Sequence, residues 1–317
     1  MLKLIADSGS TKTDWTLLDE EGKLMVSCHS QGLNPYHLSD EEISHVLQNE
    51  VKPFLLAALN RSDVLEKNFE RRMAVYFYGS GVTDAMIPRM EKLLGDNFDG
   101  AEAHAASDML GAARALLGHE QGIAVILGTG SNSCFYDGEK MIKGVSPLGY
   151  ILGDEGSGTA IGKAFFRLIF RNPEAAALKE KFMEWSGMDY AAVIDRVYRQ
   201  PLANTYLASV ATFVGEQLTR LKQTSSENQA DFLLLSEMVK QVYADFCQQV
   251  LKYYSQSTSV ASSSLAISVG FVGSIAYYFQ DFISKALREH GFAMGKIMKS
   301  PMEGLVLYHS NKGICHQ

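Results

Sequence analysis

Short apolar runs that end in glycine and serine recur along the chain and predict strands entering tight turns. Leu2 to Ala6 is the first such run, and Asp7-Ser8-Gly9-Ser10-Thr11 follows it. Apolar segments at 15–18 and 24–27 predict two more strands, and 73–78 predicts another, which ends in Gly79-Ser80-Gly81. The opening of the chain therefore has the pattern of an α/β unit.

The same pattern returns near the middle of the chain. An apolar strand at 123–127 ends in Gly128-Thr129-Gly130-Ser131, and a second strand and an acidic Gly-Lys turn follow, as they do at the start. Ile5 to Ser10 aligns with Ile126 to Ser131. Because an internal repeat usually reflects repeated architecture, the sequence predicts two similarly built halves.

Helical periodicity dominates after Gly156. A last strand is predicted at 265–269, ending in Gly270-Phe271-Val272-Gly273-Ser274. We expect an N-terminal domain at 1–107 and a larger C-terminal domain at 108–317, with the last helix able to return to the first domain. One helix is predicted to begin near 39–42. The other predicted helices span 108–117, 157–170, 174–186, 203–222, 231–255 and 275–290.

Composition narrows the functional classes. The chain has 317 residues and a formal net charge of −7, which argues against a nucleic-acid partner. No apolar run approaches the ~20 residues of a membrane helix, and the N-terminus runs directly into the first strand, so no signal peptide and no membrane partner are expected. The four cysteines lack metal-ligand spacing and suggest reduced thiols. We expect a cytoplasmic protein.

The first turn has the chemistry of a phosphate site. A carboxylate at a strand end (Asp7), followed by small residues, stands beside backbone N–H groups that can hold phosphate, while the carboxylate holds hydrated Mg²⁺. Ser8 to Thr11 supply the amides, and Lys12 adds charge. The second turn, Gly128 to Asn132, offers amides without a carboxylate. Neither a Walker A loop nor a dinucleotide GxGxxG pattern is present.

Two further acidic positions draw attention. Asp108 starts an Ala-rich helix after Ser107, where a carboxylate serves either as a helix cap or as the base that accepts the proton of an attacking hydroxyl. Asp154 and Glu155 lie between glycines in the segment 147–158. Adjacent acids repel each other unless a polar partner lies between them, and sugar hydroxyls are such a partner.

These motifs together resemble the N-acetylglucosamine kinase branch of the actin/hexokinase/Hsp70 superfamily, which shares its domain with the BadF/BadG/BcrA/BcrD-type ATPases. The resemblance spans nearly the whole chain in order, and it is most specific where GTGSN is followed by GDEGS. It is carried by 7–13, 107–108, 127–132, 152–157 and 270–274.

The resemblance implies two ribonuclease-H-like (actin/hexokinase-type) domains with ATP and Mg²⁺ in a cleft, and an amino sugar as acceptor. Asp108 would be the general base, and Asp7 would hold Mg²⁺ through water. The residues implied for ATP are Asp7, Ser8, Gly9, Ser10, Thr11, Lys12, Gly128, Thr129, Gly130, Gly270, Gly273 and Ser274. Those implied for the sugar are Asn34, Ser80, Asp108, Thr129, Asn132 and Asp154.

The chain departs from the family pattern at three places. Ser8 replaces a usual Gly, Pro147-Leu148-Gly149 replaces Gly-Trp-Gly, and the surroundings of Asn34 differ. The second departure removes an aromatic residue near the sugar and leaves the acceptor open among N-acetylglucosamine, glucosamine, N-acetylmuramic acid and other hexoses.

Two other functions stay open at this stage. One is an ATPase activator of a 2-hydroxyacyl-CoA dehydratase or benzoyl-CoA reductase system, although no cysteine lies near a glycine-rich cluster loop. The other is a non-catalytic sugar or nucleotide sensor, although Asp7 and Asp108 are both present. The helices of the second half could build a homodimer.

Overall fold

The computed structural model describes residues 1–9, 11–60, 73–223, 229–255 and 267–310. The chain divides into two compact units that exchange segments. Unit 1 comprises Met1–Gln121, Asp137–Met141 and Ser300–Gln317, and unit 2 comprises Gly122–Tyr136 and Ile142–Lys299. The predicted domain boundary at 107/108 stays a prediction.

Unit 1 is built on a mixed five-stranded sheet of order β3-β2-β1-β4-β5. β1 and β4 are buried along most of their length, as expected for central strands of a sheet covered on both faces. β1–β2 and β2–β3 are antiparallel, whereas β1–β4 and β4–β5 are parallel. The strands are β1 Leu2–Ser8, β2 Lys12–Leu18, β3 Leu24–Gln31, β4 Met73–Gly79 and β5 Glu102–Ser107.

The helices of unit 1 begin with capping groups that the sequence supplies. The Ser39 hydroxyl accepts the N–H of Glu42, whose carboxylate accepts the N–H of Ser39, so α1 starts with a capping box. A π-helical turn at Leu47–Val51 joins α1 to α2. The helices are α1 Asp40–Val46, α2 Lys52–Asn60, α3 Ile87–Asn97 and α4 Asp108–Leu117, with α14 Met302–His309 at the end of the described chain.

Unit 2 repeats this sheet. Its strand order, β10-β9-β6-β7-β8, matches the order of unit 1 when β6 is set over β1, because β6–β7 is antiparallel and β6–β9 and β9–β10 are parallel. The strands are β6 Gly122–Leu127, β7 Ser131–Tyr136, β8 Met141–Gly144, β9 Ser268–Val272 and β10 Ala293–Met298.

The helices of unit 2 bury a core rich in phenylalanine. Phe165, Phe182 and Phe213 lie with ring centroids 5.3 to 5.4 Å apart, and none of them is exposed. The helices are α5 Gly149–Leu152, α6 Gly158–Arg171, α7 Ala176–Ser186, α8 Tyr190–Tyr198, α9 Ala203–Gln223, α10 Gln229–Phe246, α11 Lys252–Ser255, α12 Ser274–Tyr278 and α13 Gln280–Glu289.

The last described helix, α14, packs in unit 1 against α4 and β1. A Cβ on Gly304 would lie 2.3 Å from the carbonyl oxygen of Ala115, so the two helices approach at backbone distance. His309 Nε2 lies 2.9 Å from the Tyr78 hydroxyl, and its ring stacks on Tyr76. Burial, with Arg114 and Lys3 nearby, lowers the pKa of His309 to about 3, so this imidazole is neutral.

The predicted α/β class and the two similarly built halves are confirmed. Three predicted elements differ in part from the structure. The last strand, expected at 265–269, continues to Val272, and the predicted positions 265 and 266 lie outside the described residues. The helix expected at 275–290 is interrupted at Phe279, and the helix expected at 231–255 contains a π-helical segment, Cys247–Leu251.

In the described parts of the chain, no helix is both long and apolar enough to span a bilayer.

Close packing of α6 on α9 generates a testable prediction. A Cβ on Gly162 would lie 2.0 Å from the Leu207 carbonyl oxygen, so Gly162→Ala must push the two helices apart. We expect the free energy of unfolding to fall by about 1–3 kcal/mol, measured by urea denaturation.

Gly215→Ala on α9 is the matched control, because the nearest atom to its added methyl is 3.6 Å away. Alanine favours a helix over glycine by up to about 1 kcal/mol, so this variant should be as stable as the parent or more so. Equal stability of the two variants would contradict the packing argument.

Candidate functional site

Four strands of unit 1 end at one edge of its sheet. Parallel pairing sets Ser8 beside Gly79 and Gly79 beside Ser107, so the residues that follow β1, β4 and β5 emerge side by side. Ser80 and Asp108 are among them. β3 runs antiparallel to β2 and therefore ends at this edge as well, three residues before Asn34. The sheet thus brings Asn34, Ser80 and Asp108, which the sequence predicted to bind ligand, to one edge.

Asn34 is buried and organises its loop. Its side-chain oxygen accepts the N–H of Tyr36 at 2.9 Å, and its carbonyl accepts the N–H of His37 at 3.0 Å. A Cβ on Gly81 would lie 2.4 Å from Asn34 Oδ1, and Gly81 has φ +81°, so only glycine fits there. The loop after β4, which carries Ser80, therefore lies directly against Asn34.

The Ser8 side chain links the first hairpin to the Asn34 loop. Its hydroxyl lies 2.8 Å from the hydroxyl of Thr13 and accepts the N–H of Leu33 at 3.0 Å, and its carbonyl accepts the N–H of Ser80 at 2.8 Å. The sequence pattern marks Ser8 only as a departure from the family's glycine and does not indicate this role. The replacement itself was the available signal, since a buried hydroxyl requires partners.

The turn of the first hairpin is closed by contacts among its own residues. Gly9 donates its N–H to the Lys12 carbonyl at 2.9 Å, which closes the turn. Thr11 is exposed, and Lys12 forms a 2.6 Å ion pair with Asp14. Ser10, also nominated for phosphate binding, lies outside the described residues. In unit 1, part of the hairpin's hydrogen-bonding capacity is thus used internally.

Three carboxylates meet near the first hairpin. Burial, together with the nearby charges of Asp14 and Asp108, raises the pKa of Asp7 to about 7, against the opposing effect of Lys12. Asp14 was missed by the sequence reasoning. It is the cross-strand partner of Asp7, a pairing readable from a hairpin centred between residues 10 and 11.

Asp108 is the first residue of α4. The Ser107 hydroxyl, not Asp108, caps the helix by accepting the N–H of Leu110 at 3.2 Å, so the Asp108 carboxyl is not needed as the cap. Burial raises the pKa of Asp108, while hydrogen bonds from the N–H groups of Met109 and Asp108 itself oppose the increase. A carboxyl with a raised pKa is a better proton acceptor than an ordinary one.

A hydrated divalent cation fits this edge. A cation would relieve the repulsion that Asp7 experiences from Asp14 and Asp108. No group of three or more His, Cys, Asp or Glu side chains within the described residues forms a direct metal cage. This arrangement suits Mg²⁺, which keeps several of its waters and needs one or two carboxylates when phosphates supply the rest.

The second glycine turn is fixed by the start of α6. Gly128 donates its N–H to the Gly130 carbonyl at 3.0 Å, and the carbonyls of Gly128 and Thr129 accept the N–H groups of Gly158 and Thr159. Asn132 lies on β7, and its side-chain oxygen accepts the N–H of Ser133 at 2.9 Å.

Asp154 has a left-handed backbone, φ +59°, which is uncommon outside glycine and often marks a functional site. Its Oδ1 accepts the N–H of Ser131 at 3.1 Å, and a Cβ on Gly130 would lie 2.9 Å from its Oδ2. The carboxylate therefore lies on the backbone of the second turn. Asn132 and Asp154 together line a small cavity whose other side includes Leu148 and Phe246.

The nominated residues after β9 divide into two groups. Gly273 and Ser274 follow the strand end, where φ +123° and a Cβ position 2.1 Å from the Leu127 carbonyl oxygen require Gly273 to be glycine. This contact draws the end of β9 onto the end of β6. Gly270 lies inside β9, buried and paired with Ala124, so the structure does not bring it to the edge with the others.

Known structures resemble this chain along its whole length. A provisionally named N-acetylglucosamine kinase from Porphyromonas gingivalis is 36% identical with a TM-score of 0.80, covering 98% of this chain and 99% of that one. A second such protein, from Chromobacterium violaceum, is 18% identical with a TM-score of 0.66, covering 97% and 98%. An ROK hexokinase from Thermus thermophilus is 13% identical with a TM-score of 0.52, covering 97% and 98%.

The last two similarities show the fold, and with it the predicted actin/hexokinase type is confirmed. No protein-family model matches the chain. No curated protein sequence matches it.

The raised pKa of Asp7 predicts a pH-dependent stability. A carboxyl whose folded pKa is about 7, against about 4 when unfolded, holds its proton longer in the folded state. Its contribution to stability is therefore full below about pH 4 and is lost as the pH rises towards about 7. In ligand-free protein, Asp7→Asn should raise the free energy of unfolding at pH 8 and have a much smaller effect at pH 5, measured by urea denaturation.

Asp84→Asn, at an exposed position of the same unit, is the control and should show no such trend between pH 5 and pH 8. An Asp7→Asn variant that is less stable than the parent at pH 8 would be evidence against the charge conflict.

Proposed function

Because this chain belongs to the N-acetylglucosamine-kinase-like branch of the actin/hexokinase/Hsp70 superfamily, we propose that it is an ATP-dependent sugar kinase. The proposed reaction transfers the γ-phosphoryl group of ATP to the 6-hydroxyl of N-acetylglucosamine or a related amino sugar. The cytoplasmic location and the use of Mg²⁺ belong to the same proposal.

The observation that carries the proposal is the edge of the unit 1 sheet. Asp7 and Asp108 lie near enough there for the charge of Asp108 to raise the pKa of Asp7. The loops of Asn34 and Ser80 meet at the same edge. A phosphoryl transfer needs a cation-holding carboxylate, a base and groups that hold the hydroxyl acceptor, and we assign these roles to Asp7, Asp108 and the two loops.

Asp108 is the proposed general base. Its carboxylate accepts the proton of the sugar 6-hydroxyl while the hydroxyl oxygen forms a bond to the γ-phosphorus and the bond from that phosphorus to the bridging oxygen of ADP breaks. The half-buried carboxylate suits this task, since its raised pKa increases its affinity for the proton. The proton stays on Asp108 until solvent removes it after product release.

The other nominated residues have binding roles in the proposal. Asp7 would hold Mg²⁺ through water, and the metal would neutralise the phosphate charge. The residues proposed for ATP are Ser8, Gly9, Ser10, Thr11, Lys12, Gly128, Thr129, Gly130, Gly273 and Ser274, with Gly270 in the strand behind them. Asn34, Ser80, Thr129, Asn132 and Asp154 are proposed to bind the sugar.

An ADP-release assay tests the reaction and the base together. With ATP, Mg²⁺ and N-acetylglucosamine, the parent should release ADP in a sugar-dependent manner. Asp108→Asn should lower kcat about a hundredfold or more, because a positioned base typically contributes that much, and should leave the KM for ATP nearly unchanged. Asp189→Asn, another carboxylate at a helix start, is the matched control and should keep the parental rate.

The same assay identifies the acceptor. Glucosamine, N-acetylmuramic acid and glucose should be compared with N-acetylglucosamine by kcat/KM. An absence of sugar-dependent ADP release with every acceptor would overturn the proposed function, whereas a near-parental rate in Asp108→Asn would remove only the assignment of the base.

Asp154 should affect the sugar more than the nucleotide. Asp154→Gly accepts the left-handed backbone but lacks the carboxylate, while Asp154→Ala lacks the carboxylate and strains the backbone. We expect both variants to raise the KM for the sugar about tenfold or more with little change in the KM for ATP, because hydrogen bonds to charged groups contribute about 1.5–3 kcal/mol.

Thermal unfolding separates the two effects, since Asp154→Ala should be less stable than Asp154→Gly. If Asp154→Gly has the parental KM for the sugar while Asp154→Ala has a higher one, residue 154 acts through its backbone conformation and not through its carboxylate.

A further inference from the structure

A second cavity lies in unit 2 between α6 and α10. Its volume is about 400 Å³, within the range that small-molecule sites occupy. Lys163 and Arg167 line one side, Gln241 and Asp245 line the other, and the exposed side chain of Leu152 lies at its margin. This cavity adjoins the small one beside the second glycine turn, because Glu155 lines both, whereas Asp154 lines only the small one.

Two cations stand side by side in this cavity. Lys163 and Arg167 are four residues apart on α6 and so lie on one face of the helix. Burial lowers the pKa of Lys163, and the charge of Arg167 lowers it further, while Asp154 and Glu155 act in the opposite sense. Within the described residues, neither cation forms an ion pair within 4.0 Å. Glu155, which also lines the cavity, offsets part of their repulsion, and an anion between them would offset more of it.

The opposite wall offers hydroxyl partners. Gln241 donates its side-chain N–H to Asp245 Oδ1 at 2.8 Å, which leaves the other carboxylate oxygen and the Gln241 carbonyl as acceptors. Met238 and Val242 supply apolar surface between these groups and α6. A ligand that suits both walls has an anionic group at one end and several hydroxyl groups at the other.

We propose that the α6–α10 cavity is a second ligand site that takes a phosphorylated sugar. The phosphate binds Arg167 and Lys163, since a guanidinium fork matches phosphate oxygens and an ammonium adds a point charge. The sugar hydroxyls donate to Asp245 and Gln241. The binding part of this inference does not require that the chain be a kinase.

Lys163 connects the cavity to the loop that carries Asp154. Its ammonium donates to the Tyr150 carbonyl at 2.5 Å and lies 3.4 Å from the Gly153 carbonyl, immediately before Asp154. A bound phosphate competes for the same ammonium and weakens these contacts. Resting on the proposed function, the consequence is that the phosphorylated ligand raises the KM for the acceptor sugar.

Calorimetric titration of the full chain with glucose 6-phosphate tests the site, with inorganic phosphate and glucose as separate arms. Excess AMPPNP should be present in a parallel series, so that phosphate-binding hairpins are occupied. We expect glucose 6-phosphate to bind in both series, inorganic phosphate to bind more weakly, and glucose not to bind.

Arg167→Gln should weaken the binding of glucose 6-phosphate about tenfold or more, because it removes a charged hydrogen-bonding partner. Arg171→Gln is the matched control, as this exposed arginine lies one turn further along α6 and does not line the cavity. Both positions are exposed, so both variants should fold, which circular dichroism can verify.

Binding that is equal in Arg167→Gln and the parent, or the absence of binding by glucose 6-phosphate, overturns the site. Equal affinity for inorganic phosphate overturns its assignment to a phosphorylated sugar. If the site binds but no sugar-dependent ADP release is found, the proposed function fails and the site stands. If ADP release is found, the KM for the acceptor should rise with glucose 6-phosphate in the parent and not in Arg167→Gln.

Discussion

Parallel pairing of β1 with β4 and of β4 with β5 is the constraint on which the rest of the candidate site depends. It sets Ser8, Gly79 and Ser107 in one row, so Asp7 at the end of β1, Ser80 after β4 and Asp108 after β5 come to one edge of the sheet. β6 and β9 repeat the arrangement in unit 2, where the Leu127–Gly273 contact draws two strand ends together. Ligand-binding groups at the carboxyl ends of parallel strands are a general property of open α/β sheets.

In the absence of ligand, charge repulsion at this edge of the unit 1 sheet destabilises the folded protein. Asp7 has an acidic partner across the hairpin in Asp14 and a second acidic neighbour in Asp108, and a folded chain without ligand must accommodate this repulsion. Asp154 adds a backbone conformation that most residues avoid. Charge repulsion and backbone strain of this kind occur at sites where a bound ligand relieves them. The buried cores of the two units provide the stability that offsets them.

The sequence predicted the central strands and both glycine turns because runs such as Leu2–Ala6 are mainly apolar and end in glycine and serine. It did not predict β5 or β10, whose residues are only partly buried at sheet edges and therefore show no clear alternation. The Asp7 and Asp108 positions could be nominated from local motifs. Asp14, the buried Ser8 hydroxyl and the inward position of Gly270 depend on pairing and packing between distant segments, which local patterns do not encode.

Helix α14 carries a consequence for how the polypeptide is made. It belongs to unit 1, where His309 contacts Tyr76 and Tyr78, yet the whole of α5–α13 separates it from α4 along the chain. During translation, the ribosome releases the first sheet long before it has synthesised the segment that covers this aromatic face. The nascent chain must therefore expose that face until α14 has been synthesised, and a truncation before Met302 would remove the helix whose His309 packs against Tyr76 and Tyr78.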